Sequence, residues 1–333
     1  MTEKNFDSLP ERTIEVEGKP KPVNEFLGEY YQTLGDGTIE FLGIKTGLIK
    51  LDKATLGLDG LIVLGGIAGQ GKTSFALQLA YGSCNLETPT IFYSLEMPRR
   101  AILTKILNRL SKVKYSDILL KGRQYLSDNP QTQETENFHK YLSKEQVDKL
   151  NDGKKLLEAI SKKFYLRTRE RGESEINFDI VEQEINFIKT EHNVERVFVI
   201  IDHLQVFDVG YYRDQIDKES KLITGFKGIS ERTGATILLI SQKNKAGFTN
   251  KGLQTIKGSV DIVYLADVVM FLENETPENK DQDETIDNII ANFGGGVVKY
   301  INLVIDKNRY NAPTKVKMEF SGEYSEFTET EHK

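Results

Sequence analysis

Eight residues constrain this chain more than any others: Gly66-Ile-Ala-Gly-Gln-Gly-Lys-Thr73, a G-x-x-x-x-G-K-T run. An apolar segment, Leu61–Leu64, precedes it, and a helical pattern over Thr73–Ser83 follows. In that strand–loop–helix setting, glycines let the backbone curl so that its N–H groups point inward at phosphate oxygens. The helix N-terminus adds its positive dipole end. Lys72 is expected to reach the terminal phosphates and the Thr73 hydroxyl to ligate Mg²⁺. The motif predicts a nucleoside triphosphate cradled by Gly66, Ala68, Gly69, Gln70, Gly71, Lys72, Thr73 and Ser74.

Such a loop needs a sheet, and the rest of the chain supplies one. Further strands are predicted at Thr90–Leu95, Phe164–Leu166, Val197–Ile201, Thr236–Ile240, Val268–Leu272 and Tyr300–Ile305. Between them, Ile102, Leu103, Ile106, Leu107 and Leu110 form a helical stripe, and Ser143-x-x-Gln146 reads as a capping box. Asn177 caps a helix that turns Val181, Ile185 and Ile188 inward. Leu222, Ile223, Phe226 and Ile229 mark another, closed by Gly234. The alternation predicts an α/β fold: a mostly parallel central sheet with helices on both faces. Tyr300–Ile305 and Lys315–Phe320 finish it as a C-terminal β-hairpin.

Ahead of this domain (residues 43–333), residues 1–42 read as a polar tail followed by a short helix at about 23–34. Its stripe of Val23, Phe26, Leu27, Tyr30, Tyr31 and Leu34 must be buried, on its own domain or on a neighbour. Residues 111–142 read as a polar, helix-poor insertion. Residues 273–296, with seven acids against one lysine and then Gly294-Gly295-Gly296, read as a surface excursion.

Three strand ends carry further candidates. Arg196–Asp202 is an apolar strand ending in an acid, expected beside the phosphate-loop strand, with the Asp202 carboxylate holding magnesium through water. Glu96 ends the Thr90 strand, where it is either the base that orients water or an ordinary surface glutamate. Gln242 occupies the equivalent place one strand further, where a neutral amide could sense the γ-phosphate.

Composition narrows the class. With 44 basic and 50 acidic residues among 333, the net charge of −6 argues against a uniformly basic nucleic-acid-coating protein. One cysteine, Cys84, excludes an intrachain disulfide, and His139, His192, His203 and His332 show no metal-ligand spacing. No apolar run approaches the roughly 20 residues that cross a bilayer, and the N-terminus lacks a signal-peptide core, which predicts a soluble protein of a reducing compartment. Yet Lys243, Lys245, Lys251 and Lys257 lie between Gln242 and Val260 without one acid, interleaved with Gly247, Gly252, Gly258 and Phe248. That stretch reads as a loop tracking the phosphates of single-stranded DNA with Phe248 stacking, or as a solvated loop. A second loop, Gly210–Lys221, offers Tyr211, Tyr212 and Arg213 with mixed charge.

Taken together, these elements resemble the ATPase domain of the DnaB-type replicative DNA helicases, in the RecA-like superfamily, from about Gly43 to Phe320. The blocks that carry the resemblance are Gly43-Ile-Lys-Thr-Gly47 with Leu51-Asp52, the phosphate loop and Ser94-Leu-Glu-Met97. Downstream of these lie Ile201-Asp-His-Leu-Gln205, Ser241-Gln242-Lys-Asn244, Ala266-Asp-Val-Val-Met-Phe271 and Lys307-Asn-Arg309. The resemblance implies ATP and Mg²⁺ at Lys72, Thr73 and Asp202, water activation by Glu96, and coupling of nucleotide to DNA through Gln242. It also implies that Lys307 and Arg309 reach into a neighbouring subunit's site; by residues alone they could be a solvated hairpin pair. His203, where many relatives carry tyrosine, reads as a packed residue beside the metal site. The family's N-terminal primase-binding domain is missing, which fits a minimal phage- or plasmid-type helicase in a host cytoplasm, or a piece of a longer protein. The implied function is a hexameric, ring-forming helicase moving 5′→3′ on single-stranded DNA during replication, with a primase or loader as further partner. A RecA-like ATPase switch that remodels DNA or protein assemblies without unwinding is the second reading.

Overall fold

The computed structural model describes residues 22–35, 42–120, 142–170, 175–242, 264–275 and 298–330. The chain divides into two units, Met1–Glu40 and Phe41–Lys333. The first contributes one described helix, α1 (Asn24–Gly35), along which Val23, Phe26, Leu27, Tyr30 and Tyr31 are exposed.

Among the described residues, the second unit is built on a nine-stranded sheet. Its elements run α2 (Ile49–Thr55), β1 (Leu61–Gly65), α3 (Lys72–Asn85), β2 (Thr90–Ser94), α4 (Arg99–Ser111), α5 (described over 115–120) and α6 (Lys144–Ile160). They continue with β3 (Phe164–Thr168), α7 (Phe178–His192), β4 (Phe198–Asp202), α8 (Gln215–Thr233), β5 (Thr236–Ile240), β6 (Val268–Asn274), β7 (Val298–Asn308), β8 (Thr314–Ser321) and β9 (Glu326–Glu329). The spatial order is β3-β2-β4-β5-β1-β6-β7-β8-β9, parallel through β6 and antiparallel from β7 onward.

The parallel strands are covered on both faces, so their residues are buried whichever way they point. Every residue of β1, β2, β4 and β5 is buried. Ile62, Leu64, Phe92, Ile200 and Leu238 pack toward Phe75, Leu79 and Ile102 of α3 and α4. Val63, Tyr93, Val199 and Leu239 point the other way, onto Val181 and Ile185 of α7 and Ile223 and Phe226 of α8. At about 1.5–3 kcal/mol for each large apolar side chain, these two layers dominate the stability.

Local signals behave as the sequence predicts. Ser143 and Gln146 form a reciprocal capping box, Asn177 accepts the Ile180 N–H, and Gly234 closes α8 in the left-handed conformation. Three expectations are corrected. Strand β4 does not adjoin β1, because β5 enters the space between them; β1 and β2 leave two places that later strands fill. The terminal hairpin gains a further strand, β9, whose Phe327 stacks on Phe320. Residues 115–120 are helical, because Ile118 is drawn into a small cluster with Val113, Leu142 and Leu150. The lysine-rich stretch and most of the acidic excursion lie outside the described residues.

Candidate functional site

The carboxyl ends of β1, β2, β4 and β5 open into a cavity of about 840 Å³. Lys72, Thr73, Glu96, Asp202 and Gln242 all line it, so groups far apart in sequence converge from four strand ends. Ala68, Gly69, Gly71 and Ser74 complete the loop side.

The loop is held by its own side chains. Gln70 turns inward, its Oε1 accepting the Ile67 N–H at 2.8 Å, so it braces the curl rather than facing the cavity. Lys72 Nζ donates to the carbonyls of Gly66 (2.6 Å) and Ile67 (2.9 Å), which fixes the ammonium over the loop. Gly71 has φ +84°, and a Cβ there would lie 2.8 Å from the Phe320 ring. Only glycine satisfies both demands.

Asp202 is buried, and its carboxyl hydrogen-bonds to Thr73. Burial pushes it up to about 6; the Thr73 hydrogen bond works against the rise, Glu96 adds to it, and Lys72 and Lys105 oppose it. A hard divalent cation takes oxygen ligands and would offset the cost of that buried charge, so the Thr73 hydroxyl and Asp202 carboxylate fit Mg²⁺. Among the described residues no three His, Cys, Asp or Glu side chains gather as a metal cage, so the other ligands would come from phosphate and water.

Glu96 stands half-exposed at the rim, its Oε2 3.0 Å from Nδ1 of His203. The contact is an ion pair only when the imidazole is protonated. His203 is buried beside Asp202, and burial holds its imidazole below the usual range. Gln242 is exposed at the end of β5, immediately beside β1. Behind it, Gln205 Nε2 donates to Ser241 Oγ at 3.0 Å, linking the end of β5 to the turn after Asp202.

Several cavity residues escape sequence reasoning, among them Lys105. Lys105 sits on α4 with Nζ 3.4 Å from Ser74 Oγ, and burial lowers its pKa while Asp202 raises it. It falls between Ile102 and Ile106 on the inward face, and a cation inside an apolar stripe was the available signal. Leu103, assigned to that stripe, turns outward instead.

Lys307 and Arg309 are not at this cavity. They end β7, which runs antiparallel to β6, and therefore lie at the amino ends of the parallel strands. Arg309 N–H bonds to the Asp267 carbonyl at 2.9 Å, and Asp267 N–H to Leu61 O at 2.7 Å. Arg309 is thus level with the first residue of β1, four residues or about 13 Å of strand from Gly65. Lys243, Lys245, Phe248, Lys251 and Lys257 lie outside the described residues.

A phosphate loop at the end of β1, with acids ending β2 and β4 around one cavity, defines a RecA-like P-loop ATPase fold. Residues 43–329 match the family model of the DnaB-like helicase C-terminal domain; the chain belongs to that family. Among proteins named replicative DNA helicase DnaB, that of Mycoplasma genitalium is 23% identical over 304 residues, covering 87% of this chain and 57% of that protein. That of Rickettsia bellii is 24% identical over 338 residues, covering 94% and 62%. The chain therefore spans about three-fifths of the length of these relatives. A solved structure described as an ATPase domain superposes with a TM-score of 0.75 at 17% identity, over 94% of this chain and all of that one. A DnaB-like replicative helicase, described with its interactions with primase, gives 0.70 at 17% identity over 94% and 68%. No described helix is long and apolar enough to cross a membrane.

Proposed function

We propose that this chain is the motor of a ring-forming, hexameric DNA helicase that hydrolyses ATP with Mg²⁺ and moves 5′→3′ on single-stranded DNA during replication. The observation that carries this reading is the convergence of Lys72, Thr73, Glu96, Asp202 and Gln242 on one cavity, within a chain of the DnaB-like family. Lys72 and the loop N–H groups would hold the phosphates, and Thr73 and Asp202 would hold Mg²⁺, which supplies charge neutralisation when bound. Glu96, steadied at one oxygen by His203, would orient the attacking water from the cavity rim. Gln242 would pass the state of the γ-phosphate to the lysine-rich stretch that follows it, with Lys243, Lys245, Phe248, Lys251 and Lys257 meeting DNA.

Lys307 and Arg309 would serve the next subunit's nucleotide. Their position at the opposite ends of the parallel strands from Lys72 supports this, because they are remote from their own phosphate loop. Helix α1, with its exposed Phe26, Tyr30 and Tyr31, would dock on the adjacent protomer as the linker of such a ring. A primase or loader would be a further partner, and the host cytoplasm the place of action. The test is ATP hydrolysis with and without single-stranded DNA, alongside mass in solution and unwinding of tailed forks. DNA-stimulated turnover by a hexamer that unwinds from 5′ tails is expected. Turnover indifferent to DNA would favour an ATPase switch, and unwinding only from 3′ tails would overturn the polarity.

A further inference from the structure

Asp267 is among the most deeply buried charges described, 1% exposed at the start of β6. Its Oδ2 accepts the Leu61 N–H at 2.8 Å and lies 2.7 Å from Lys227 Nζ of α8. Its Oδ1 lies 2.7 Å from Arg309 Nη1, whose side chain is half-exposed, in an ion pair rather than an aligned hydrogen bond. The backbone repeats the connection, since the Arg309 N–H donates to the Asp267 carbonyl at 2.9 Å. Space for the carboxylate exists only because residue 60 is glycine: a Cβ there would lie 2.2 Å from Oδ2. The rest of the turn is fastened too, by Asn308 and Asn311 Nδ2 on the Ala54 carbonyl (both 3.1 Å) and Lys307 Nζ on the Ala266 carbonyl (2.6 Å).

A buried carboxylate shared by two cations is costly unless each contact is kept, so such a group fixes geometry more than it adds stability. One of those cations is a residue that, on the reading above, must present its guanidinium to another subunit. Arginine side chains are long and flexible, and a misplacement of about 1 Å at a transition-state group costs about a hundredfold in rate. We propose that Asp267 is a positioning residue for Arg309: held from behind by Lys227 and Leu61, it sets the direction in which the guanidinium leaves the sheet. This rests on the reading of Arg309 as the trans-acting charge.

The test is a double-mutant cycle in the full chain, reading ATP turnover, nucleotide-analogue affinity and mass in solution. Asp267→Asn should lower kcat about ten- to a hundredfold with analogue affinity and assembly unchanged. In the Arg309→Ala background the same change should cost nothing more, because the group it aims is gone. An equal loss in both backgrounds would overturn the proposal and make Asp267 a structural residue only. Full turnover in Arg309→Ala alone would instead overturn the underlying reading of Arg309, and the proposal with it. Should Asp267→Asn fail to fold, Lys227→Met takes its place in the cycle, with a loss of about tenfold expected in the Arg309 background and none in Arg309→Ala. No loss in the Arg309 background overturns the proposal.

Discussion

Two buried aspartates stand at opposite ends of the same sheet. Asp202 ends β4 and faces the open cavity; burial drives its carboxyl up to about 6, and its hydrogen-bond partner is a hydroxyl. Asp267 opens β6 at the far end and is pinned between Lys227 and Arg309, each at 2.7 Å. Burial is nearly equal, but compensation is not. At Asp202 burial outweighs the pull of Lys72 and Lys105, so the carboxylate keeps its attraction for a cation that arrives with a ligand; a carboxylate already neutralised can only hold what neutralises it. The first arrangement suits binding, the second aiming.

The largest test of that contrast is Arg309→Ala. Turnover should fall by about a thousandfold or more, the range seen for trans-acting arginines, while titration with a non-hydrolysable analogue shows intact binding. Normal turnover would place all the chemistry at the carboxyl ends. Glu96→Gln comes next, with an expected loss of about a hundred- to ten-thousandfold and binding again retained. If binding disappears with turnover, Glu96 belongs to the binding set and not to water activation.

Asp202→Asn should cut both ways. Below its folded pKa of about 6 the native carboxyl holds a proton that the unfolded chain, near 3.8, has released, so the stability of the nucleotide-free protein should fall as pH rises from about 4 to 6. The shift corresponds to at most about 3 kcal/mol. Asn removes that cost: Tm at pH 7.5 in chelator should rise by a few degrees, with the gain shrinking toward pH 4, while turnover with Mg²⁺ is lost. A lower Tm would show that Asp202 is structural, like Asp267. Ser143→Ala touches neither end; it should cost about 1 kcal/mol by urea titration and leave turnover unchanged, and a kinetic effect would mean that α6 reaches the site.

Much of this was legible in the residues. The phosphate loop, the strand ends and the helix caps each carry a local signal, because backbone curl, capping and burial periodicity act within a few residues. Strand order did not, since the places left between β1 and β2 are filled only by later segments. Asp267 stands in an Ala-Asp-Val block, and nothing in those letters says that two cations from α8 and the β7–β8 turn meet on it. Lys105 was hidden for a similar reason, a charge masked by the apolar stripe around it. Strand β9 is four residues long and shows little alternation, so it is recognisable only through the partner it pairs with.

The two ends of the second unit meet. Glu329 on β9 accepts the N–H groups of Leu51 and Lys50 at 2.9 and 3.0 Å, and Lys50 Nζ reaches the Thr330 carbonyl. A unit whose first helix is capped by its last strand is closed like a clasp, and can be cut and rejoined elsewhere on its circumference. Other modules can be hung from either side of that clasp without passing through the cavity at the strand ends, so the unit can be carried in chains of different length.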